Sequence, residues 1–393
     1  MAQAQAADHP WVAVWGSSQM MAEADNALPA DALDDATLRQ VVRVTAAGDR
    51  IRVRLSNAFG SAPLQIASAA VAQPSSGSTI APGSSRPLLF NGRPGVVIPT
   101  GADYLSDPVD ISVTALGDVA VSLHVLDVEG AQTGHPGSRA TSFIGPGDQT
   151  SAAELSDAET VPRWYFIAGI EAAGPAVEGA IVVLGDSITD GYGVALDSNT
   201  RWPDLFAARL QTQPATRGLS VINQGIGGNR LLRDGLGPNA LARFERDVLS
   251  QPGVSHVVVL EGVNDLGVLT RDQPMPPEAH AALVEQMIGV YRQMIIRARA
   301  RGVRIIGATI MPYAGSAYYH PTAENEADRQ ALNAWIRAPG NFDAIIDFDR
   351  IMADPARPDH VNPSYDLDGL HPSVDGYRAM ADAIPLSIFE PAP

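Results

Sequence analysis

The sequence predicts two folded units of different class. Residues 1–145 read as an all-β sandwich, jelly-roll-like, and residues 179–393 as an α/β unit on a parallel sheet, joined by a linker at 146–178. Three observations carry this. At 393 residues the chain is too long for one typical core. Its first third is made of short strand-like runs separated by Gly, Pro, Asp and Ser, with no long amphipathic helix. From Gly179 onward, short β-branched apolar runs alternate with helix-length segments, as a parallel sheet covered on both faces requires.

Taken in order, the start "MAQAQAADHP" lacks the apolar centre of a signal peptide. Its Ala-Gln-Ala pattern resembles the small-residue end of one already removed, so a secreted or periplasmic location is expected. In "VVRVTAAGDRIRVRLSNAFG" two alternating runs flank Ala-Gly-Asp, a hairpin signal, and Ile51, Val53 and Leu55 share one face. "PLQIASAAVAQ", "RPGVVIPTGADYLSDPVDISV" and "GDVAVSLHVLDV" continue the strand pattern. "GPGDQTSAAELSDAET" reads as a connecting loop, followed by a short apolar segment at Trp164 to Ile170. The later strands are "AIVVL", "LSVIN", "HVVVLE", "VRIIGATIM" and "FDAIIDFD". Between them lie helical segments such as "PDLFAARLQ", "NALARFERDVL" and "PEAHAALVEQMIGVYRQMIIRARARG".

Bulk composition narrows the function. Hydrophobic residues at 45% with 18% charged describe a globular chain rather than a disordered one. The formal net charge is −17 and no lysine occurs, so every basic side chain that is not histidine is an arginine. That balance repels phosphate backbones and anionic lipid, which argues against nucleic acid as a partner. No apolar run reaches membrane-spanning length, so no membrane insertion is expected. The absence of cysteine removes thiol catalysis and zinc–thiolate sites.

In an open parallel sheet, ligands bind beyond the carboxyl ends of the strands. Here those ends carry "GDSITDG" with Ser187, "NQGIGGNR" with Gly225, Gly227 and Gly228, and "EGVNDLG" with Asn264 and Asp265. An aromatic loop, "PYAGSAYYHP", follows the fourth strand, and "YDLDGLHPSVDGY", with Asp366, Asp368 and His371, follows the fifth. Acyl transfer needs an oxygen nucleophile, a base, a group that orients the base and donors for the oxyanion. Ser187 can supply the first and His371 the second. Asp368 can orient the imidazole, with Asp366 as competitor. The backbone N–H groups of Ser187 and Gly228 and the Asn264 amide can be the donors. Pro372 places His371 at the first turn of a helix, whose N-terminus disfavours imidazolium.

Other chemistries fit less well. Gly-Asp-Ser-Ile-Thr lacks the second glycine of the Gly-x-Ser-x-Gly elbow. "GIGGNR" matches neither a dinucleotide nor a Walker pattern. Asp186, Asp190 and Asp265 lack a histidine cluster and read as turn-forming and supporting groups, so neither a metal nor a cofactor is expected.

The blocks "GDSITDG", "NQGIGG", "GVND" and "DGLH" resemble, in order, those of the SGNH or GDSL-type hydrolases, a family of esterases and acylhydrolases. The wording around "TRWPDLFAARL" is similar to a xylanolytic-type branch with a β-rich N-terminal domain. The resemblance implies a flavodoxin-like three-layer α/β/α hydrolase domain. It also implies Ser187 as nucleophile, His371 and Asp368 as base and partner, and Gly228 and Asn264 as oxyanion donors. The implied activity is a serine esterase removing small acyl groups from a polysaccharide or small-molecule ester. Lipase, arylesterase and thioesterase roles remain open, as does a carbohydrate-binding protein with incidental hydrolysis. Tyr313, Tyr318 and Tyr319 either stack on sugar rings or pack their loop. Oligomeric state is not legible.

Overall fold

A computed structural model describes residues 9–390. The Ala-Gln-Ala start lies outside them. The first half contains two large antiparallel sheets. One runs Val12–Gly16, Ile167–Ala173, Gly48–Ser56, Asp103–Leu105, with Val109–Val113 also on Gly48–Ser56. The other runs Glu159–Val161, Ser142–Pro146, Ala36–Arg43, Asp118–Leu126, Leu64–Ala72, Arg86–Pro87. Leu38 and Leu123 of one and Ile51, Val53 and Leu55 of the other share a single apolar cluster. Among the described residues of this half, the helical pieces are the 3-10 turns Ala24–Asn26 and Ala30–Leu33.

Two expectations are corrected. Ala36–Arg43 and Gly48–Ser56 do not form a hairpin but belong to different sheets. The link between them is buried, and Val44 and Thr45 give their N–H groups to Gly117 and Val14 carbonyls rather than closing a turn. The segment 146–178 is not a plain linker either. Ile167–Ala173 sits between Val12–Gly16 and Gly48–Ser56, buried along its whole length, and Glu159–Val161 edges the other sheet.

The second half is built on a five-stranded, wholly parallel sheet. Its spatial order is Leu219–Gly225, Gly179–Gly185, Val254–Leu260, Arg304–Ala308, Ala344–Ile346, that is second, first, third, fourth, fifth. This is the flavodoxin-like order, whose switch point lies beside the first strand. Gly179–Gly185 is buried throughout because strands flank it on both sides and helices cover its faces. The helices form two packed groups. Trp202–Leu210 lies on Val374–Ala383 with Phe348–Met352, while Pro277–Ala300 lies on Ala323–Arg337 with Val263–Thr270. Among the described residues no helix is long and apolar enough to cross a membrane.

The halves share polar contacts as well as core. Thr45 Oγ1 bonds the Val221 carbonyl at 3.0 Å, and Ser220 Oγ bonds that of Ala13 at 2.6 Å.

Candidate active site

The buried first strand ends at Gly185, and Asp186 caps a single helical turn, Ser187–Asp190, by accepting the Ile188 N–H at 2.9 Å. The turn lifts Ser187 off the sheet edge and leaves its backbone N–H without a partner among the described residues. Ser187 Oγ lies 2.9 Å from His371 Nε2. His371 Nδ1 lies 2.9 Å from Asp368 Oδ2. The same carboxylate accepts the backbone N–H groups of Leu370 and His371 at 3.1 and 2.8 Å. An ionised carboxylate only accepts, so the Nδ1 facing it carries the proton and Nε2 presents a lone pair to the serine. Asp366, the competitor, instead accepts the Gly369 N–H at 2.7 Å and braces the turn.

Burial pulls the His371 pKa down. Asp368 opposes this, the charge of Arg139 adds to it, and the net shift is downward, so the ring is neutral at neutral pH. The expected cause is corrected: the last helix begins at Val374 with Ser373 as its cap, so His371 and Pro372 lie ahead of its first turn. Burial also works against ionisation of Asp368. The His371 backbone and ring N–H groups and the Leu370 N–H outweigh it and hold the carboxyl below its ordinary range.

The donors converge from the next two strand ends. Gly225 ends the second strand where a Cβ would sit 2.4 Å from the Asp190 backbone nitrogen, so only glycine fits. Gly228 has φ +72°, a left-handed conformation that favours glycine, and its N–H has no partner among the described residues. Asn264, in the first turn of Val263–Thr270, donates from Nδ2 to the Asn229 carbonyl at 2.7 Å and accepts the Tyr319 hydroxyl at 2.6 Å. A carbonyl can only accept, so this pair of contacts fixes which way the amide points and leaves one Nδ2 hydrogen for a ligand.

The three aspartates support loops. Asp265 accepts the Leu231 and Leu232 N–H groups at 2.8 and 3.1 Å, and burial pushes its pKa up to about 6 against them. Asp190 takes the Gly227 N–H at 3.1 Å and the His135 Nε2 contact at 2.9 Å. Burial raises the pKa of Asp186, with the Ile188 N–H opposing it.

Several contributors carried no signal in the linear chain. His135, in the β half, reaches Asp190 with Nε2 and the Ser18 carbonyl with Nδ1 at 2.8 Å. Gly137 fits so closely that a Cβ would meet the Asp190 carboxylate at 1.8 Å. Tyr192 stacks on His371 at 4.1 Å, and Arg139 lies 5.6 Å above the Tyr192 ring. The stretch "TGHPGSRATSF" therefore folds against the serine turn. The aromatic loop divides its roles: Tyr313 is buried, Tyr319 holds Asn264, and Tyr318 is 61% exposed.

Ser187, Gly228, Asn264, Asp368 and His371 all border one cavity of about 600 Å³, with Tyr318 and Leu236 on its wall. A separate cavity of about 480 Å³, bordered by Phe143 and Thr114 of the β half and by Asp197 of the second half, contains none of the five.

The profile of the GDSL-like lipase/acylhydrolase family matches residues 183–379. Curated proteins gave no match. Among solved structures, a GDSL-like lipase from Bacteroides thetaiotaomicron is similar at 24% identity and a TM-score of 0.40, over 54% of this chain and 88% of that one. An acetyl xylan esterase is similar at 23% identity and a TM-score of 0.40, over 52% of this chain and 96% of the other.

Proposed function

From the premise that the chain belongs to the GDSL-like lipase/acylhydrolase family, and so is a carboxylic ester hydrolase, we propose that it removes small acyl groups, acetyl foremost, from a carbohydrate. The observation that carries the catalytic part is the unbroken contact from Ser187 Oγ to His371 Nε2 and on from Nδ1 to Asp368, opening on the cavity that Gly228 and Asn264 share.

As Ser187 Oγ attacks the ester carbonyl, its proton passes to His371 Nε2 and the carbonyl π pair moves onto oxygen. The Ser187 and Gly228 N–H groups and the Asn264 amide take that oxyanion. Collapse breaks the bond to the alcohol, which leaves with the proton from His371. Water then attacks the acyl-enzyme, gives its proton to the same nitrogen, and releases the acid as the proton returns to Ser187. Asp368 holds the imidazolium that exists between these transfers.

The carbohydrate assignment rests on the cavity wall. Tyr318 presents an exposed ring, steadied by Arg271 through a 2.9 Å bond to its hydroxyl, on which a sugar face can stack. A second reading is favoured by Leu236, 54% exposed, with Val268 and Leu370 in the same cavity: an aryl or longer-chain ester would bury this apolar surface. Acid release from acetylated xylan fragments and from 4-nitrophenyl acetate, butyrate and octanoate separates the two. The carbohydrate reading expects turnover of the xylan acetates and decline with chain length; rates rising towards octanoate overturn it. Ser187→Ala should abolish turnover of every member, and a variant as fast as the parent refutes the mechanism.

A further inference from the structure

We infer that the catalytic cavity selects esters whose sugar carries a carboxylate, an acylated uronic acid, and that Arg230 is the recognising residue with Arg271 beside it. This rests on the esterase reading above and narrows its substrate.

Both guanidiniums border the cavity that contains Ser187 and His371. Three deeply buried arginines elsewhere in this acidic chain are neutralised at contact distance, Arg243 by Asp247 and Glu261, Arg329 by Asp349 and Glu326, Arg201 by Asp204, while a fourth, Arg39, spends its guanidinium on Ser122 Oγ and four main-chain carbonyls. Arg230 is different. Its hydrogen-bond partner is the main-chain carbonyl of Asp234, and among the described residues no carboxylate pairs with it. The two acids nearest in sequence or field are otherwise engaged. The Asp234 carboxylate accepts the Asn239 backbone and side-chain N–H groups at 2.8 and 2.7 Å. Both Asp265 oxygens are held by the Leu231 and Leu232 N–H groups. A guanidinium has five N–H donors in a planar fork, so Arg230, whose charge reaches Asp234 and Asp265 without pairing with either, keeps most of its donors for a ligand.

The side chain is also held in place. The Arg230 carbonyl accepts the Ala240 N–H at 2.8 Å, Asp265 anchors the next two residues, and the guanidinium lies on Gly235, where a Cβ would meet it at 2.3 Å. A fixed, unpaired fork in a half-buried wall is what bidentate recognition of a carboxylate requires. Arg271 contributes less, because exposed Asp272 offsets its charge at 3.2 Å and its Nη1 is bonded to Tyr318. Asp368, the acid that borders the cavity, is committed to His371 and two backbone N–H groups. A uronate can therefore stack on Tyr318 and give its carboxylate to Arg230 while its acetyl ester meets Ser187.

The test compares acetate release from methyl 3-O-acetyl-glucuronoside and methyl 3-O-acetyl-glucoside by the full chain. The parent should favour the uronate in kcat/KM by roughly 10- to 100-fold, the range a charge-assisted contact supplies. Arg230→Gln should bring the ratio towards one, chiefly through KM, and Arg230→Lys should keep part of it. Independently of any variant, free glucuronate should inhibit 4-nitrophenyl acetate turnover at concentrations at least tenfold below glucose. A parent ratio near one, a ratio unchanged in Arg230→Gln, or equal inhibition by the two sugars overturns the inference. Turnover of 4-nitrophenyl acetate with neither sugar acetate cleaved overturns it too, yet leaves the esterase reading standing. Failure of the parent on 4-nitrophenyl acetate as well removes the esterase reading itself.

Discussion

Tyr319→Phe tests a contact that acts on the reaction only through another side chain. Tyr319 is 3% exposed and its hydroxyl donates to Asn264 Oδ1 at 2.6 Å, while Asn264 Nδ2 is tied to the Asn229 carbonyl. Deleting the hydroxyl leaves Oδ1, on a residue only 2% exposed, without a partner, and leaves one bond instead of two to hold the amide. A neutral hydrogen bond of this kind contributes about 1 kcal/mol net, and an orphaned buried acceptor costs about 1–3 kcal/mol. With about 1.4 kcal/mol of that lost from the transition state, turnover falls roughly tenfold. Asn264→Ala removes the donor itself and should cost on the order of 10²–10³. Steady-state kinetics on 4-nitrophenyl acetate should place the loss in kcat with KM little changed, because the oxyanion forms only beyond the ground state. The decisive comparison is the double variant. In an Asn264→Ala background nothing remains to be oriented, so Tyr319→Phe should add less than about twofold. Equal losses in both backgrounds would mean that Tyr319 works independently of Asn264, and no loss in the single variant would mean that the amide is held without it; either result refutes the reasoning.

Two further outcomes follow from the charges. Because burial lowers the His371 pKa, kcat/KM should rise with pH along a limb whose midpoint lies below the ordinary 6.5 and be level by neutral pH. Asp368→Asn removes the groups that favour the imidazolium, so the limb should move further towards acid while kcat falls on the order of 10³–10⁴. Movement of the limb to higher pH in pH–rate profiles would contradict this. His135→Ala removes the 2.9 Å contact to the carboxylate of Asp190, 3% exposed, a loss of about 1–3 kcal/mol for a buried acceptor deprived of a partner. The midpoint of thermal unfolding should drop by roughly 1–4 °C, and an unchanged melting curve would show that the contact adds nothing to stability.

The parallel sheet was legible because its strands are β-branched runs between helix-length segments, a pattern that few other architectures satisfy. The strand-end residues were legible for a related reason: polar residues and glycines at one edge of a buried sheet have little structural explanation there. The β half was read less well. Ala-Gly-Asp is a sound local turn signal, but it cannot show that Val44 and Ala46 are buried and that the chain is passing from one sheet to the other. Ile167–Ala173 is rich in Ala and Gly, so its alternation is weak, and its partners at Val12 and Ile51 lie far back in the chain. The sequence marks Tyr319 only as a stacking or packing residue and His135 not at all, because their actual contacts are long-range. Each meets its partner 55 residues away, and no property of a lone tyrosine or histidine announces that meeting.

The polar contacts beneath the site bear on what the β half does. Arg243, fully buried, donates to the Gln224 carbonyl at 2.7 Å and the Gly185 carbonyl at 3.0 Å, near the ends of the second and first strands, and contacts Glu261 just beyond the third at 3.3 Å. Those are the strands whose ends present Gly228, Ser187 and Asn264. The same guanidinium donates to Ser18 Oγ at 2.8 Å, and Ser18 belongs to the β half. A buried cation is tolerated only where its donors and its charge are both met. A chain cut before Gly179 would take Ser18 from Arg243 and His135 from Asp190 together, removing one donor contact from a guanidinium that keeps Asp247 and Glu261 and one side-chain contact from the carboxylate that ends the nucleophile's turn. The β half is on this account part of what holds the strand ends at their separation, added to the bonds Arg243 makes within the catalytic half.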